Sequence, residues 1–138
     1  MAVATEIGTP MRAVLTAMEE PLGRTVGNAL EVAESIACLR GEGPADTMAV
    51  TYALGEQMLI LTKVARTTTE ARALLEAVVA DGGALRKFSE MITAQGGDAR
   101  VAEEPGRLPQ AKWQEALPAA RAGFVQDVDA MEVALAAL

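Results

Sequence analysis

The sequence predicts an α/β fold that is dominated by helices and has few strands. Apolar residues recur at three- and four-residue spacings through most of the chain. Two short apolar runs follow turn or glycine signals, as buried strands do. Alanine supplies 28 of the 138 residues, which favours helices that pack closely. The length suits one domain with an aliphatic core.

The N-terminal part predicts a helix, a strand and a glycine loop, in that order. Residues 1–7 are interpreted as the last turns of a helix, with Gly8 as its C-cap. The apolar run 11–18, "MRAVLTAM", follows a turn signal and predicts a buried strand. The glycine-punctuated loop 19–27 then leads into a helix. Loops of this kind often place backbone amides around phosphate.

Four helices are predicted between residues 28 and 95. Asn28 is the expected cap of the first, and Glu31 completes a capping-box spacing. Asp46 is the expected cap of the second, which is apolar on nearly every side and therefore predicted to be central.

The third and fourth helices follow from capping and periodicity. Thr67 and Glu70 again have capping-box spacing, and the apolar residues after them recur at helical intervals. The glycine pair Gly82–Gly83 ends the third helix, and residues 84–94 form the fourth.

The C-terminal part predicts an irregular segment and then a strand and a helix. Residues 98–120 are rich in proline and carry Trp113; around it, 105–118 reads either as a docked loop or as a partner surface. Residues 122–138 predict a strand at 124–128 and a helix capped by Asp129. Neither end carries a cap or stop signal, so the pattern predicts a piece of a longer fold.

Composition excludes several classes of function. The formal net charge is −7, which leaves no basic surface for nucleic acid. No apolar run is long enough for a membrane span and no secretory signal is recognisable, so a cytoplasmic protein is expected. Histidine is absent, which removes the commonest general base. Cys38 is the only cysteine and is predicted to be an inert, partly buried thiol.

The loop and its carboxylates are the candidate site on pattern alone. The loop matches neither G-x-G-x-x-G nor G-K-[ST], so an ordinary strand-to-helix connection competes with a phosphate loop. Four carboxylates surround it, and they could serve acid–base chemistry, ligate a hard cation, or form a solvated face. They are Glu19, Glu20, Glu31 and Glu34.

One block of sequence resembles a known family. "PLGRTVGNALEV", followed in order by "ALGEQML", "EARALLEAVVADGGALRKFSEMITAQGGD", "LPQA" and "GFVQDVDAMEVALAAL", is similar to thymidine and pyrimidine-nucleoside phosphorylases. The resemblance implies the middle of the large α/β domain of such an enzyme. These pentosyltransferases convert a pyrimidine nucleoside and phosphate to a free base and a pentose 1-phosphate.

The resemblance also implies what the chain lacks. The family's phosphate- and base-binding motifs lie in an earlier, N-terminal portion and have no counterpart here. No catalytic or substrate-binding residue is therefore assigned to this chain, which is expected to be inactive alone and, like the family, a homo-oligomer. The preference among thymidine, uridine and nucleotides is left open.

The resemblance implies a potassium site at the loop. By match, Leu22 and Thr25 offer backbone carbonyls and Glu34 offers a carboxylate. The remaining ligands would come from the phosphate loop, so the isolated chain should bind potassium weakly or not at all. Two alternatives stay open: a stand-alone helical interaction module, and one half of a split phosphorylase.

Overall fold

All regular structure in the described part of the chain is helical. The computed structural model describes residues 2–137; Met1 and Leu138, which belong to the first and last predicted helices, lie outside it. The six α-helices and two 3₁₀-helices are, in chain order, α1 (Ala2–Glu6), α2 (Asn28–Leu39), α3 (Ala45–Leu61), α4 (Thr68–Ala80), α5 (Gly83–Ala94), the 3₁₀-helices Ala99–Ala102 and Pro105–Arg107, and α6 (Ala130–Ala136). The helix-dominated prediction is thus confirmed, including the four central helices.

Two of the predicted caps are confirmed. Thr67 Oγ1 accepts a hydrogen bond of 3.1 Å from the amide of Glu70 and so caps α4. Asp129 Oδ1 accepts bonds of 2.8 and 3.0 Å from the amides of Met131 and Glu132 and so caps α6. Each cap satisfies amides that a helix start leaves without a partner.

The predicted N-caps Asn28 and Asp46 are wrong, each for a local reason. Gly27 caps α2 because its φ of 125° is one that residues with a Cβ rarely adopt, and Asn28 becomes the first helical residue. Pro44 precedes α3, so Asp46 lies inside the first turn of that helix. The Asp46 carboxylate turns to the glycine loop instead of capping its own helix.

The four central helices form the helical body, Asn28–Ala94. Its main contact joins α3 to α4, and α5 packs on α4 and on the first 3₁₀-helix. Gly55 lets the two helices approach, since a Cβ there would lie 2.9 Å from a methyl carbon of Leu75. Ile36 and Ala71 are fully buried. Small residues at the contacts allow this close packing.

The prediction that the second central helix is enclosed is not borne out. No residue of α3 is buried, and Met58 is 65% exposed. One side of α3 packs on α4, and elsewhere α3 contacts the glycine loop through Asp46 and the N-terminal segment through Gln57, but none of these contacts fully buries a residue of α3. A helix that is apolar on nearly every side is expected to have neighbours on every side, and the described chain covers α3 only in part.

Neither predicted strand forms. Residues 11–18 and 124–128 have no regular secondary structure and make no ladder in the described part of the chain. Leu15 is 98% exposed and Phe124 is 100% exposed. The physical reason is that a strand needs a neighbour with which it pairs through backbone hydrogen bonds, and neither segment makes such bonds within residues 2–137. The two segments nevertheless converge, because the Ala130 amide donates a 3.0 Å hydrogen bond to the Glu19 carbonyl.

The segment after α5 is irregular, as predicted. Asp98 caps the first 3₁₀-helix, and the guanidinium of Arg100, helped by that of Arg107, holds the pKa of its carboxyl far below the ordinary value. Trp113 is 90% exposed, so it does not dock on the helical body. None of the described helices is long and apolar enough to cross a bilayer.

Candidate functional site: a glycine loop held by carboxylates

The glycine loop and the starts of three helices enclose a pocket. The loop proper runs from Pro21 to Gly27, directly before α2. The pocket has a volume of about 360 Å³. It is lined by Pro21, Leu22, Thr25, Val26, Glu31, Glu34, Ser35, Thr47 and Ala130. The lining therefore joins the loop to α2, α3 and α6.

Three carboxylates each accept a hydrogen bond from a different amide of the loop. Gly23 donates to Asp46 Oδ2, Arg24 donates to Glu34 Oε1 and Gly27 donates to Glu31 Oε1, each at 2.9 Å. Hydrogen bonds to an ionised acceptor are stronger than neutral ones. The loop is thus fixed by charge-assisted bonds from two helices rather than by its own turns.

This arrangement argues against a phosphate loop. A phosphate site needs backbone amides that point at the ligand without other acceptors. Here the amides of Gly23, Arg24 and Gly27 are already occupied by carboxylates, whose negative charge would also repel an anion. The loop is instead suited to present oxygen atoms.

Glu34 is one of two residues that link the loop to α2, the other being Glu31. Its Oε1 accepts the bond from Arg24, and no hydrogen bond from residues 2–137 reaches its Oε2. That second oxygen lies against the Cα of Gly23, where any added Cβ would collide with it. Gly23 also has φ +79°, which favours glycine. Both the positive φ and the lack of room for a Cβ therefore favour glycine at position 23.

Two threonine hydroxyls in the pocket are buried without a hydrogen-bond partner. They are Thr25 Oγ1 on the loop and Thr47 Oγ1 in the first turn of α3. A buried hydroxyl without a partner costs about 1–3 kcal/mol. The carbonyl oxygens of Leu22 and Thr25 also accept no hydrogen bond from residues 2–137. Several oxygen atoms of one small region are therefore left with free lone pairs.

The structure brings together most of the residues that the sequence singled out. Leu22, Thr25 and Glu34 all line the pocket, and so does Glu31. Glu19 does not join them, because its Oε2 accepts a bond from the amide of Met18. Glu20 borders a neighbouring hollow instead.

Sequence reasoning missed Asp46 and Thr47. Asp46 was assigned to its own helix, and Thr47 carried no signal at all. Both follow the "GEGP" turn that brings α3 back beside the loop. A distance of more than twenty residues separates them from Gly23, and only the packing of α3 brings them near it.

The electrostatics of the site agree with its hydrogen bonds. The amide of Gly23, followed by that of Thr47, lowers the pKa of the Asp46 carboxyl below its ordinary value. Burial raises the pKa of the Cys38 thiol, and the charge of Glu34 raises it further. The inert thiol predicted from the sequence is thus consistent with its surroundings.

The donor set limits which ions the pocket could hold. Among residues 2–137 no three Cys, Asp or Glu side chains cluster as metal ligands. The oxygen atoms left without a hydrogen bond beside the loop include Glu34 Oε2, the hydroxyls of Thr25 and Thr47, and two loop carbonyls. Divalent transition metals favour nitrogen and sulfur, whereas hard cations favour oxygen. The residues present fit a hard cation of low charge.

Comparison with known proteins identifies the family. Residues 1–85 match the family described as "Glycosyl transferase family, a/b domain". The chain is 44% identical over 136 residues to the pyrimidine-nucleoside phosphorylase of Bacillus subtilis (strain 168), covering 99% of this chain and 31% of that protein. It is 40% identical over 136 residues to the pyrimidine-nucleoside phosphorylase of Staphylococcus aureus (strain USA300), with the same coverage.

These matches confirm the resemblance drawn from the sequence. The chain spans about a third of the length of the curated relatives it matches, 31% in each case. The family match covers more than half of the chain and includes the whole glycine loop, α2 and α3. The chain therefore belongs to the glycosyl transferase family that this a/b domain defines, with pyrimidine-nucleoside phosphorylases among its relatives.

Proposed function

We propose that this chain is a segment of a pyrimidine-nucleoside phosphorylase and that it acts by positioning the part of the enzyme that binds phosphate. In that reaction a phosphate oxygen bonds to the anomeric carbon of the pentose, the glycosidic C–N bond breaks, and the base leaves. Phosphate and a pyrimidine nucleoside are thus the substrates of the whole protein. The support is the similarity to relatives of that name.

The chain by itself is proposed to be inactive. The sequence offers no histidine, and the carboxylates of the pocket are engaged with the loop. Neither Thr25 nor Thr47 donates its hydroxyl to a base that could activate it. Two thirds of the relatives' length lies outside the match, and the reacting groups are assigned to that part.

The single observation that carries the positioning role is the oxygen-lined pocket at the loop. We propose that Leu22 and Thr25 through their carbonyls, and Glu34 through its free Oε2, hold a potassium ion there. A hard cation shared between this loop and a second loop would fix one against the other. The residues of this chain thereby order the loop, and the order lowers the entropy lost when phosphate binds.

A chimaera tests this proposal. In the Bacillus subtilis relative, the matching stretch is replaced by this chain, and phosphorolysis of uridine and thymidine is measured as potassium chloride replaces choline chloride. We expect an active chimaera that potassium activates, and no release of free base by the 138-residue chain alone. Activity of the isolated chain above a mock purification would contradict the proposed division of labour.

A matched pair of variants tests the role of Glu34. Glu34→Gln keeps the length and the oxygen but removes the charge, so it should raise the potassium concentration for half-activation and the KM for phosphate, with little change in the KM for uridine. Glu76→Gln makes the same change on the exposed face of α4, remote from the loop, and should leave all three values unchanged. Unchanged potassium activation in the Glu34 variant would indicate that Glu34 only lies on a solvated helix face and does not bind the cation.

The same chimaera separates the alternatives. A stand-alone interaction module would give a folded but inactive chimaera. One half of a split phosphorylase would regain activity when the chain is mixed, as a separate polypeptide, with the rest of the relative. An active chimaera together with an inactive mixture supports the proposed segment of one continuous enzyme.

A further inference from the structure

We propose that Thr47 of α3 is an additional ligand of the cation site, through its side-chain hydroxyl, and that the hydroxyl of Thr25 lies beside it. The inference rests on the proposed function, because it assigns a further oxygen donor to the site held by Glu34. It extends the ligand set from the loop and α2 to a third element. The resemblance assigned only backbone carbonyls and one carboxylate.

The first observation is that Thr47 Oγ1 is buried and has no partner. A threonine inside a helix turns its hydroxyl to solvent or donates it to a backbone carbonyl four residues before it. Thr47 Oγ1 does neither, and Thr25 Oγ1 on the loop is likewise buried without a partner. Two such hydroxyls in one pocket indicate a bound group that both can face, since each would otherwise destabilise the fold.

The second observation is where the hydroxyl lies. A Cβ added at Gly23 would lie 2.9 Å from Thr47 Oγ1 and would also collide with Glu34 Oε2. The free carboxylate oxygen and the unpartnered hydroxyl therefore border the same small space beside the Cα of Gly23. This space exists because residue 23 is glycine. The oxygens that border it come from α2 and α3.

The charges around this space select the class of ligand. Glu34 Oε2 is the carboxylate oxygen that borders this space, whereas Glu31 and Asp46 each accept a bond from a loop amide elsewhere through one oxygen. Hydroxyl and carbonyl donors are neutral. Divalent ions are held by more carboxylates than this, so the site suits a monovalent cation. Glu31 and Asp46 lie in the first turns of α2 and α3, where their charges offset the positive helix ends.

The experiment follows the loop amides of the isotope-labelled 138-residue chain by NMR. The amide shifts of Gly23 and Arg24 are recorded as potassium chloride replaces choline chloride at constant ionic strength, with sodium and ammonium chloride as further arms. Thr47→Val removes the hydroxyl and keeps the shape. Thr51→Val makes the same change one turn further along α3, at an exposed position, and is the matched control.

We expect weak but saturable binding to the wild-type chain and to the Thr51 variant. Thr47→Val should raise the apparent Kd about fivefold, the loss of one contact worth about 1 kcal/mol. In choline chloride it should melt no lower than the wild type, because the change removes an unpartnered buried hydroxyl. The ion that gives the lowest Kd identifies the cation.

Each other outcome overturns part of the account. An equal Kd for the wild type and Thr47→Val, with binding lost in Glu34→Gln, would show that the cation site stands and that the hydroxyl holds only water. No saturable response in the wild-type chain, together with potassium-independent activity of the chimaera, would overturn both this inference and the cation site. If the chain does not respond but potassium activates the chimaera, the same variants are compared in the chimaera, where an unchanged half-activating potassium concentration in Thr47→Val overturns the inference. Equal losses in the Thr47 and Thr51 variants would show a general effect on α3.

Discussion

The helical body, Asn28–Ala94, and the two irregular segments 9–19 and 108–128 are stabilised in different ways. Each helix of the body has its own backbone hydrogen bonds, and the buried residues Ile36 of α2 and Ala71 of α4 lie within it. The irregular segments have large apolar side chains and form no ladder of backbone hydrogen bonds within residues 2–137. Local sequence is therefore sufficient for the helices, whereas the segments depend on a neighbour. The glycine loop lies between these two regimes.

The largest effect that separates the two regions is expected from the core. Ile36→Ala should lower the free energy of unfolding by about 2–5 kcal/mol, because it leaves a cavity under α2. Phe124→Ala removes a larger side chain but should change it by less than about 0.5 kcal/mol, since Phe124 is fully exposed. Urea titration followed by circular dichroism measures both. Equal losses would abolish the distinction between the regions.

The exposed apolar residues of the irregular segments are expected to drive self-association. Light scattering of the chain at micromolar concentrations should give a mass above the 14.4 kDa of one copy. Leu15→Lys combined with Phe124→Lys should weaken association by at least about tenfold, because each buried side chain of this size is worth about 1.5–3 kcal/mol. A single 14.4 kDa species for the unsubstituted chain would contradict this prediction.

A smaller effect tests how the loop is joined to the body. Gly23 and Gly96 both have φ +79°, but a Cβ at Gly96 would meet nothing within 4 Å. Both alanine variants should lose about 1–2 kcal/mol from backbone strain. Gly23→Ala should lose more, and its Arg24 amide should shift, because the new methyl group displaces Glu34. Identical free energies of unfolding for the two variants would show that Glu34 moves away from the new methyl group without loss of stability.

The smallest expected effect is a pH response of the loop. Asp46 has a lowered pKa in the folded chain because the Gly23 amide donates to it. Its contribution to stability is therefore present above the unfolded pKa and is lost as the pH falls through the lower, folded value. The Gly23 amide shift, followed by NMR, should titrate with a midpoint below 3.8, the ordinary value. Asp46→Asn should remove that titration, and a midpoint at or above 3.8 in the wild type would argue against the hydrogen bond.

Much of the fold could be predicted because helix signals are local. The spacing from Thr67 to Glu70 and the single Asp129 each specify a cap that the structure confirms. The predicted caps Asn28 and Asp46 are wrong because the φ of Gly27 and the proximity of α3 to the loop decide what these residues do. Neither feature can be read from the sequence. The two strands failed because pairing is not a property of one segment.

The candidate site divides in the same way. Leu22, Thr25 and Glu34 were found through resemblance, since the spacing of the block carries them together. Thr47 could not have been found, because it approaches Gly23 only after α3 has packed. The signal that identifies Thr47 is a buried hydroxyl without a partner, and this signal requires coordinates.

The central claim is that acidic side chains of the helical body hold the glycine loop in its oxygen-presenting shape before any cation is bound. Amide hydrogen exchange in potassium-free choline buffer tests it most directly. The amides of Gly23, Arg24 and Gly27, which donate to the three carboxylates, should exchange much more slowly than those of Leu15 and Phe124. Exchange of the loop amides as fast as in the irregular segments would contradict the claim, because the loop would then lack these hydrogen bonds in the absence of its ion.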